Sequence, residues 1–146
     1  MDETVLLRLN REQLHHLAER YAADAGLLLE HGRWSSAYYL AGYAVECALK
    51  ACIARQFKQH DFPDRSLVQA AHTHEFEKLL GLAPGLKERL EEDSKAREDL
   101  KEYWKLVTGW RETARYKEQI EARARDLIRA VSDTENGVLT WLKEHW

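Results

Sequence analysis

The stretch SSAYYLAGYAVECALKACIAR, residues 35–55, is the segment of this sequence that predicts its fold. Small and aliphatic residues recur in it at steps of three and four, which is the spacing of the buried face of an α-helix. Its alanines and Gly42 allow neighbouring helices to approach closely. We therefore predict the central helix of a bundle, with a buried stripe of Ala37, Leu40, Ala41, Ala44, Val45, Ala48, Leu49, Cys52 and Ile53.

A second stripe on this helix is polar and consists of Tyr39, Tyr43, Glu46 and Lys50. Charged groups are seldom buried unless they are paired, so this stripe has two interpretations. In the first, Glu46 and Lys50 form an ion pair one helical turn apart at the rim of the core. In the second, the four side chains line a polar pocket that binds a ligand.

The composition predicts one folded domain that spans residues 1–146. Hydrophobic residues make up 45% and charged residues 32%, and the net charge of −3 provides no overall basic field for nucleic acid. Cys47 and Cys52 match no metal or redox spacing, which indicates a reducing, cytoplasmic environment. The sequence has neither a membrane-spanning apolar run nor a secretory signal, and we expect no metal and no cofactor.

The remaining elements are predicted from caps, helical periodicity and glycine or proline positions. Asn10 and Gln13 form a capping-box pattern before the first helix. The prediction comprises an extended lead-in over 1–9, helices over 11–31 and 34–58, and a loop over 57–71 with a helical turn at 66–70 as the alternative. It continues with a short helix over 74–80 that Thr73 caps, a helix over 95–115 that Ser94 caps, and a helix over 117–144 that Gly137 bends.

These elements predict an all-α fold, an antiparallel bundle of four long helices plus one short helix. The five tryptophans and six tyrosines exceed what a small bundle needs, and aromatic residues are favoured at interfaces. We therefore predict a homodimer with Trp34, Trp104 and Trp110 as anchors; the alternative for each of these tryptophans is a place in the core.

The strongest candidate site combines Arg111, Arg115 and Tyr116. The arginines are four residues apart and share one face of the predicted helix, where guanidinium groups suit a phosphate. This face is predicted to meet Glu46, Tyr43 and Tyr39 of the central helix. The alternative is a structural ion pair between Glu46 and an arginine. His74 is either a cap or packing residue or a catalytic base.

Three segments resemble the HEPN domain family, in order and over nearly the whole chain. They are YYLAGYAVECALKACIARQ at 38–56, HTHEFEKLL at 72–80 and WRETARY at 110–116. The resemblance implies a dimeric helical fold and, in the family's ribonucleases, a histidine shortly after an arginine at the RNA-cleaving site. Arg115 matches that arginine, but Ile120, Glu121 and Ala122 occupy the positions where the histidine is expected.

The resemblance therefore implies two classes of function. The first is a non-catalytic homodimer that binds a nucleotide, RNA or partner protein through the polar flank. The RY ending of WRETARY is similar to small HEPN proteins paired with a nucleotidyltransferase, which suggests a toxin–antitoxin or defence system. The second is a metal-independent ribonuclease that uses Arg111, Arg115 and a histidine from elsewhere, such as His74. A third interpretation assigns the polar groups only to fixing the bundle's register.

Overall fold

The computed structural model describes residues 10–57 and 64–146, and every regular element within these ranges is helical. This confirms the all-α fold. The predicted lead-in at 1–9 and residues 58–63 of the predicted loop lie outside the described residues.

A helical hairpin begins the fold. Helix α1 (Arg11–Glu30) starts at Asn10, whose side chain accepts the Gln13 amide at 2.8 Å while the Gln13 side chain accepts the Asn10 amide at 3.0 Å. This confirms the predicted capping box. Gly32 adopts a left-handed conformation, with φ of 72°, in the short turn to helix α2 (Trp34–Ala54). The turn is only three residues long, so the two helices pack against each other as neighbours.

Helix α2 is the centre of the bundle, as predicted. Fourteen of its 21 residues are buried, and it contacts α1 and most of the later elements. The alanines at 37, 41, 44 and 48 are at most 1% exposed, which allows the neighbouring helices to pack closely. Helix α2 ends at Ala54, four residues before the predicted end.

Two short helices lie near the start of the second described range, residues 64–146. Helix α3 (Arg65–Ala70) confirms the helical-turn alternative, and Asp64 caps it by accepting the amide of Ser66 at 2.9 Å. Helix α4 (Phe76–Leu82) begins two residues later than predicted. The Thr73 hydroxyl accepts the Glu75 amide at 3.1 Å, and His74 therefore lies in the connection rather than in a helix.

The prediction of one helix over 95–115 is wrong. Helix α5 (Leu86–Ala96) already includes Ser94, and helix α6 (Glu98–Thr108) follows after a break at Arg97. Arg97 leaves the helical conformation, and its guanidinium donates to the Asn136 side chain at 2.9 Å and the Glu135 carbonyl at 2.6 Å. A long-range contact of Arg97 therefore interrupts the helix that the sequence predicts over 95–115.

The prediction of one helix over 117–144 is also wrong. Helix α7 (Glu121–Ser132) and helix α8 (Val138–Lys143) are separated by a turn. The Asp133 carboxylate accepts the amide of Asn136 at 2.8 Å, which competes with helical bonding. A β-carbon at Gly137 would lie 2.6 Å from backbone atoms of Asp133, so glycine is required for this tight turn.

For two of the three tryptophans the structure selects the core alternative over the interface anchor. Trp104 is 9% exposed and Trp110 is 1% exposed, so both belong to the core of the single chain. Trp34 is half-buried, with the guanidinium of Arg125 placed 5.9 Å from its ring centre.

Candidate functional site

The polar stripe of α2 contains a fully buried ion pair. Glu46 is 1% exposed and Lys50 is 3% exposed, and Lys50 Nζ lies 3.3 Å from Glu46 Oε2. The spacing of four residues places both side chains on one helix face. The predicted pairing of Glu46 with a cation is confirmed, and the pair lies within the core instead of at its rim.

His74 connects this buried pair to the surface. Its Nδ1 lies 2.6 Å from Glu46 Oε1, and its Nε2 lies 2.7 Å from Glu112 Oε2. His74 therefore lies between a buried carboxylate and a surface carboxylate, one at each ring nitrogen. Glu46 thus orients the ring from inside the protein, while Nε2 is directed toward Glu112 on the outer side.

Glu112 belongs to a short 3-10 helix (Glu112–Tyr116) that packs against α2. This arrangement corrects the prediction that Arg111 and Arg115 share one helix face, because α6 ends at Thr108. Trp110 turns into the core immediately afterwards, and Arg111 adopts an extended conformation. The two arginines therefore belong to different local structures.

Arg111 partly serves as a cap for α6. Its Nη1 donates to the Thr108 carbonyl at 2.6 Å and to the Trp110 carbonyl at 2.9 Å. The residue is nevertheless exposed, and it lines the same surface cleft as His74. We call this the His74 cleft; its volume is about 290 Å³ and it is lined by Thr73, His74, Glu75, Arg111, Glu112 and Thr113.

Arg115 lies outside the residues that line the His74 cleft and contacts aromatic side chains instead. Its guanidinium lies 4.8 Å from the centre of the Tyr116 ring, a cation–π distance. The phenols of Tyr116 and then Tyr39 raise the pKa of Arg115 above its usual value. The Tyr116 side chain is itself 76% exposed.

Tyr39 and Tyr43 pack around Trp110. The Tyr39 ring stacks on Trp110 with 5.9 Å between centres, and the Tyr43 ring meets Trp110 edge-on at 6.5 Å. Phe76 covers Trp110 at 5.3 Å in a nearly parallel arrangement. Burial, followed by the nearby Glu46 carboxylate, raises the pKa of Tyr43, so this phenol stays protonated near neutrality.

The structure therefore brings together only part of the predicted site. Glu46, Lys50 and His74 form one connected polar network that reaches Arg111 through the His74 cleft, while Arg115, Tyr116 and Tyr39 form a second group. Glu112 was not predicted, because its importance rests on a contact between two connections that are distant in sequence. Within residues 10–57 and 64–146, no group of three His, Cys, Asp or Glu side chains is arranged to hold a metal ion.

An all-helical fold with a central alanine-rich helix and a polar flank defines a class of small helical-bundle proteins. The HEPN domain model matches residues 12–145, and the chain belongs to the HEPN domain family. Comparisons with curated proteins and with solved structures give no match. None of the described helices has the length and apolar character needed to cross a membrane.

Proposed function

We propose that this HEPN-family protein is a binding module that recognises phosphate groups of a nucleotide or RNA. The main support is the placement of His74 and Arg111 around one cleft. The buried Glu46 holds the imidazole with Nε2 directed outward, and Arg111 contributes a permanent positive charge. A guanidinium and an imidazole N–H at one cleft suit an oxyanion better than a ligand without acceptor oxygens.

The second arginine extends this surface. Arg115 and the exposed Tyr116 offer a guanidinium and an aromatic face side by side. Single-stranded nucleic acid is commonly bound by such a combination, because the cation pairs with the backbone while the ring stacks on a base. Lys50 and Tyr43 have supporting roles beneath this surface. Lys50 neutralises the Glu46 carboxylate, and Tyr43 packs against Trp110.

Binding is better supported than cleavage. Metal-independent RNA cleavage needs a base that takes the 2′-hydroxyl proton and an acid that protonates the leaving oxygen. Both ring nitrogens of His74 lie within hydrogen-bond distance of carboxylates, so neither is open to a substrate hydroxyl in this arrangement. Arginine remains protonated and is a poor base, so Arg111 and Arg115 cannot replace the missing histidine.

A ribonuclease is the second candidate, and one observation favours it. His74 and Arg111 line the same cleft, although no histidine follows either arginine at the family spacing. Release of Glu112 from Nε2 would allow a neutral His74 to accept a proton while Arg111 stabilises the developing charge on phosphorus.

We further propose that the protein acts as a cytoplasmic homodimer, with a nucleotidyltransferase as partner in a toxin–antitoxin or defence system. The family resemblance supports the partner and the setting. The support for the dimer is the aliphatic side chain of Ile120, which is 66% exposed. Exposed aromatic and aliphatic side chains are typical anchors of protein interfaces.

Fluorescence anisotropy with a labelled single-stranded RNA tests the binding proposal. Arg111→Ala and Arg115→Ala should each weaken binding, whereas Arg89→Ala should change it little. Arg89 lies on α5 in an exposed ion pair with Asp93, so it controls for the loss of one positive charge. Binding should also weaken as salt rises, because phosphate contacts release counterions.

The same RNA, incubated with the protein and a chelator, distinguishes the two candidates. Intact RNA bound in an arginine-dependent manner supports the binding module. Cleavage that disappears in both His74→Ala and Arg111→Ala establishes the ribonuclease. Wild-type affinity in both arginine variants would overturn the proposed site.

A further inference from the structure

The two carboxylates that contact His74 differ in how firmly they are held. Glu46 is 1% exposed, belongs to the central helix and also pairs with Lys50. The Glu112 side chain is 41% exposed and belongs to a five-residue 3-10 helix at the surface. Moving Glu46 would leave buried charges uncompensated, whereas Glu112 can rotate into water. Only Glu112 is therefore free to exchange with another anion.

The position of the Glu112 carboxylate has the properties of an oxyanion subsite. One of its oxygens lies 2.7 Å from His74 Nε2, within the distance of a charge-assisted hydrogen bond. Arg111 lines the same cleft, and its guanidinium donates through Nη1 to the Thr108 and Trp110 carbonyls. Among the residues that the structure describes, Nη2 and Nε of Arg111 have no hydrogen-bond acceptor.

Glu112 has a competitive advantage and a chemical disadvantage compared with a free anion. It is tethered beside His74, which gives it a high effective concentration. However, it brings a single negative charge and two oxygens, whereas a phosphate monoester brings up to two charges and three oxygens. Any ligand that needs His74 must first displace Glu112. The apparent affinity of the ligand is therefore its intrinsic affinity multiplied by the fraction of molecules in which Glu112 has left His74.

We propose that the Glu112 carboxylate is an internal substitute for a ligand phosphate: it occupies the oxyanion position at His74 Nε2, in the cleft that Arg111 also lines. This inference rests on the proposed function, because it assigns the phosphate-binding position within the same cleft. Displacement of Glu112 opens the subsite and frees the 3-10 helix from its contact with His74. The carboxylate thereby limits binding to ligands whose phosphate is accessible and sufficiently charged.

The cleft itself provides a matched control. Glu75 also lines the His74 cleft, but its carboxylate pairs with Lys78 at 3.2 Å. Glu75→Ala and Glu112→Ala each remove one carboxylate and change the net charge equally, and only the second opens His74 Nε2. A difference in phosphate affinity between these two variants therefore reports the contact between Glu112 and His74 Nε2 and not the net charge of the cleft.

Titration with inorganic phosphate, followed calorimetrically and by the ring nitrogen NMR signals of His74, tests the inference. Glu112→Ala should bind phosphate roughly tenfold more tightly than the wild type, as expected when a charged hydrogen-bonded competitor is removed. Glu75→Ala should resemble the wild type. In the Glu112→Ala background, adding His74→Ala should abolish the gain, and phosphate should shift the Nε2 signal more than the Nδ1 signal.

Equal gains in Glu112→Ala and Glu75→Ala would overturn the inference, as would a gain that persists without His74. A parallel anisotropy titration with RNA separates this failure from failure of the proposed function. Arginine-dependent RNA binding without a specific Glu112 effect contradicts only the subsite. Absence of both phosphate and RNA binding in the wild type and in all variants contradicts both proposals.

Discussion

The indole ring of Trp110 lies directly on Gly42 of the central helix, so closely that a β-carbon at position 42 would overlap the ring. Trp110 is the second residue after α6 and is 1% exposed. Its insertion against α2 ends the helix there and turns the following residues across α2. This contact thereby places Arg111 and Glu112 next to His74.

Gly42→Ala should destabilise the protein by about 1–3 kcal/mol, because overpacking against a rigid indole outweighs the better helix propensity of alanine. Gly26→Ala is the matched control on α1, where an added β-carbon meets no atom within 4 Å. That variant should gain about 0.5–1 kcal/mol. Urea unfolding of both variants measures the difference, and a stabilised Gly42→Ala protein would contradict the close contact.

Glu46→Gln should cost about 3–5 kcal/mol, because it leaves the buried Lys50 ammonium without its counter-charge. Lys50→Met in the same background should recover part of the loss, since the uncompensated charge is then removed. Glu121→Gln is the control; its exposed pair with Arg125 has the same spacing, and its removal should cost less than about 1 kcal/mol. Similar losses in both glutamate variants would show that Glu46 is not buried as described.

Alkaline pH should destabilise the fold through its buried thiols. Burial raises the pKa of Cys47 and of Cys52 from 9.0 to about 12. Between these values the unfolded chain releases protons that the native state retains, so the free energy of unfolding falls as pH rises. The stabilisation that the two buried thiols contribute is fully present below their pKa in the unfolded chain and is lost between pH 9.0 and about 12.

Urea titrations at about pH 8 and about pH 10.5 measure this dependence. The double variant Cys47→Ala, Cys52→Ala should lose less stability over the same interval than the wild type. An identical loss in both proteins would mean that the thiols are not responsible.

The proposed homodimer should depend on Ile120. Sedimentation at protein concentrations on the order of tens of micromolar should give a dimer for the wild type. Ile120→Asp should give a monomer, because it places a charge in an apolar contact. Ile120 is 66% exposed and is the N-cap residue of α7, where aspartate is favoured, so Ile120→Asp should not destabilise the single chain. A wild-type protein that sediments only as a monomer would contradict the dimer.

The sequence by itself determined the class of fold and its central element. Three local patterns gave the structure that they predict. The alanine and aliphatic stripe of residues 35–55 forms the central helix, Asn10 forms the capping box, and Glu46 and Lys50 form an i,i+4 ion pair. Such patterns can be recognised in the sequence because an α-helix places residues three or four positions apart on the same face. The turn-forming role of Gly137 is local in the same sense.

Tertiary structure alone decided where the helix predicted over 95–115 breaks and which side chains form the site. The sequence predicts one helix over 95–115, yet Arg97 bonds to the turn before α8, and Trp110 packs on Gly42. Glu46, His74 and Glu112 meet across separations of 28 and 38 residues in the chain. These contacts depend on how distant segments pack, because burial of Trp110 and satisfaction of the Glu46 charge outweigh the local preference for helix.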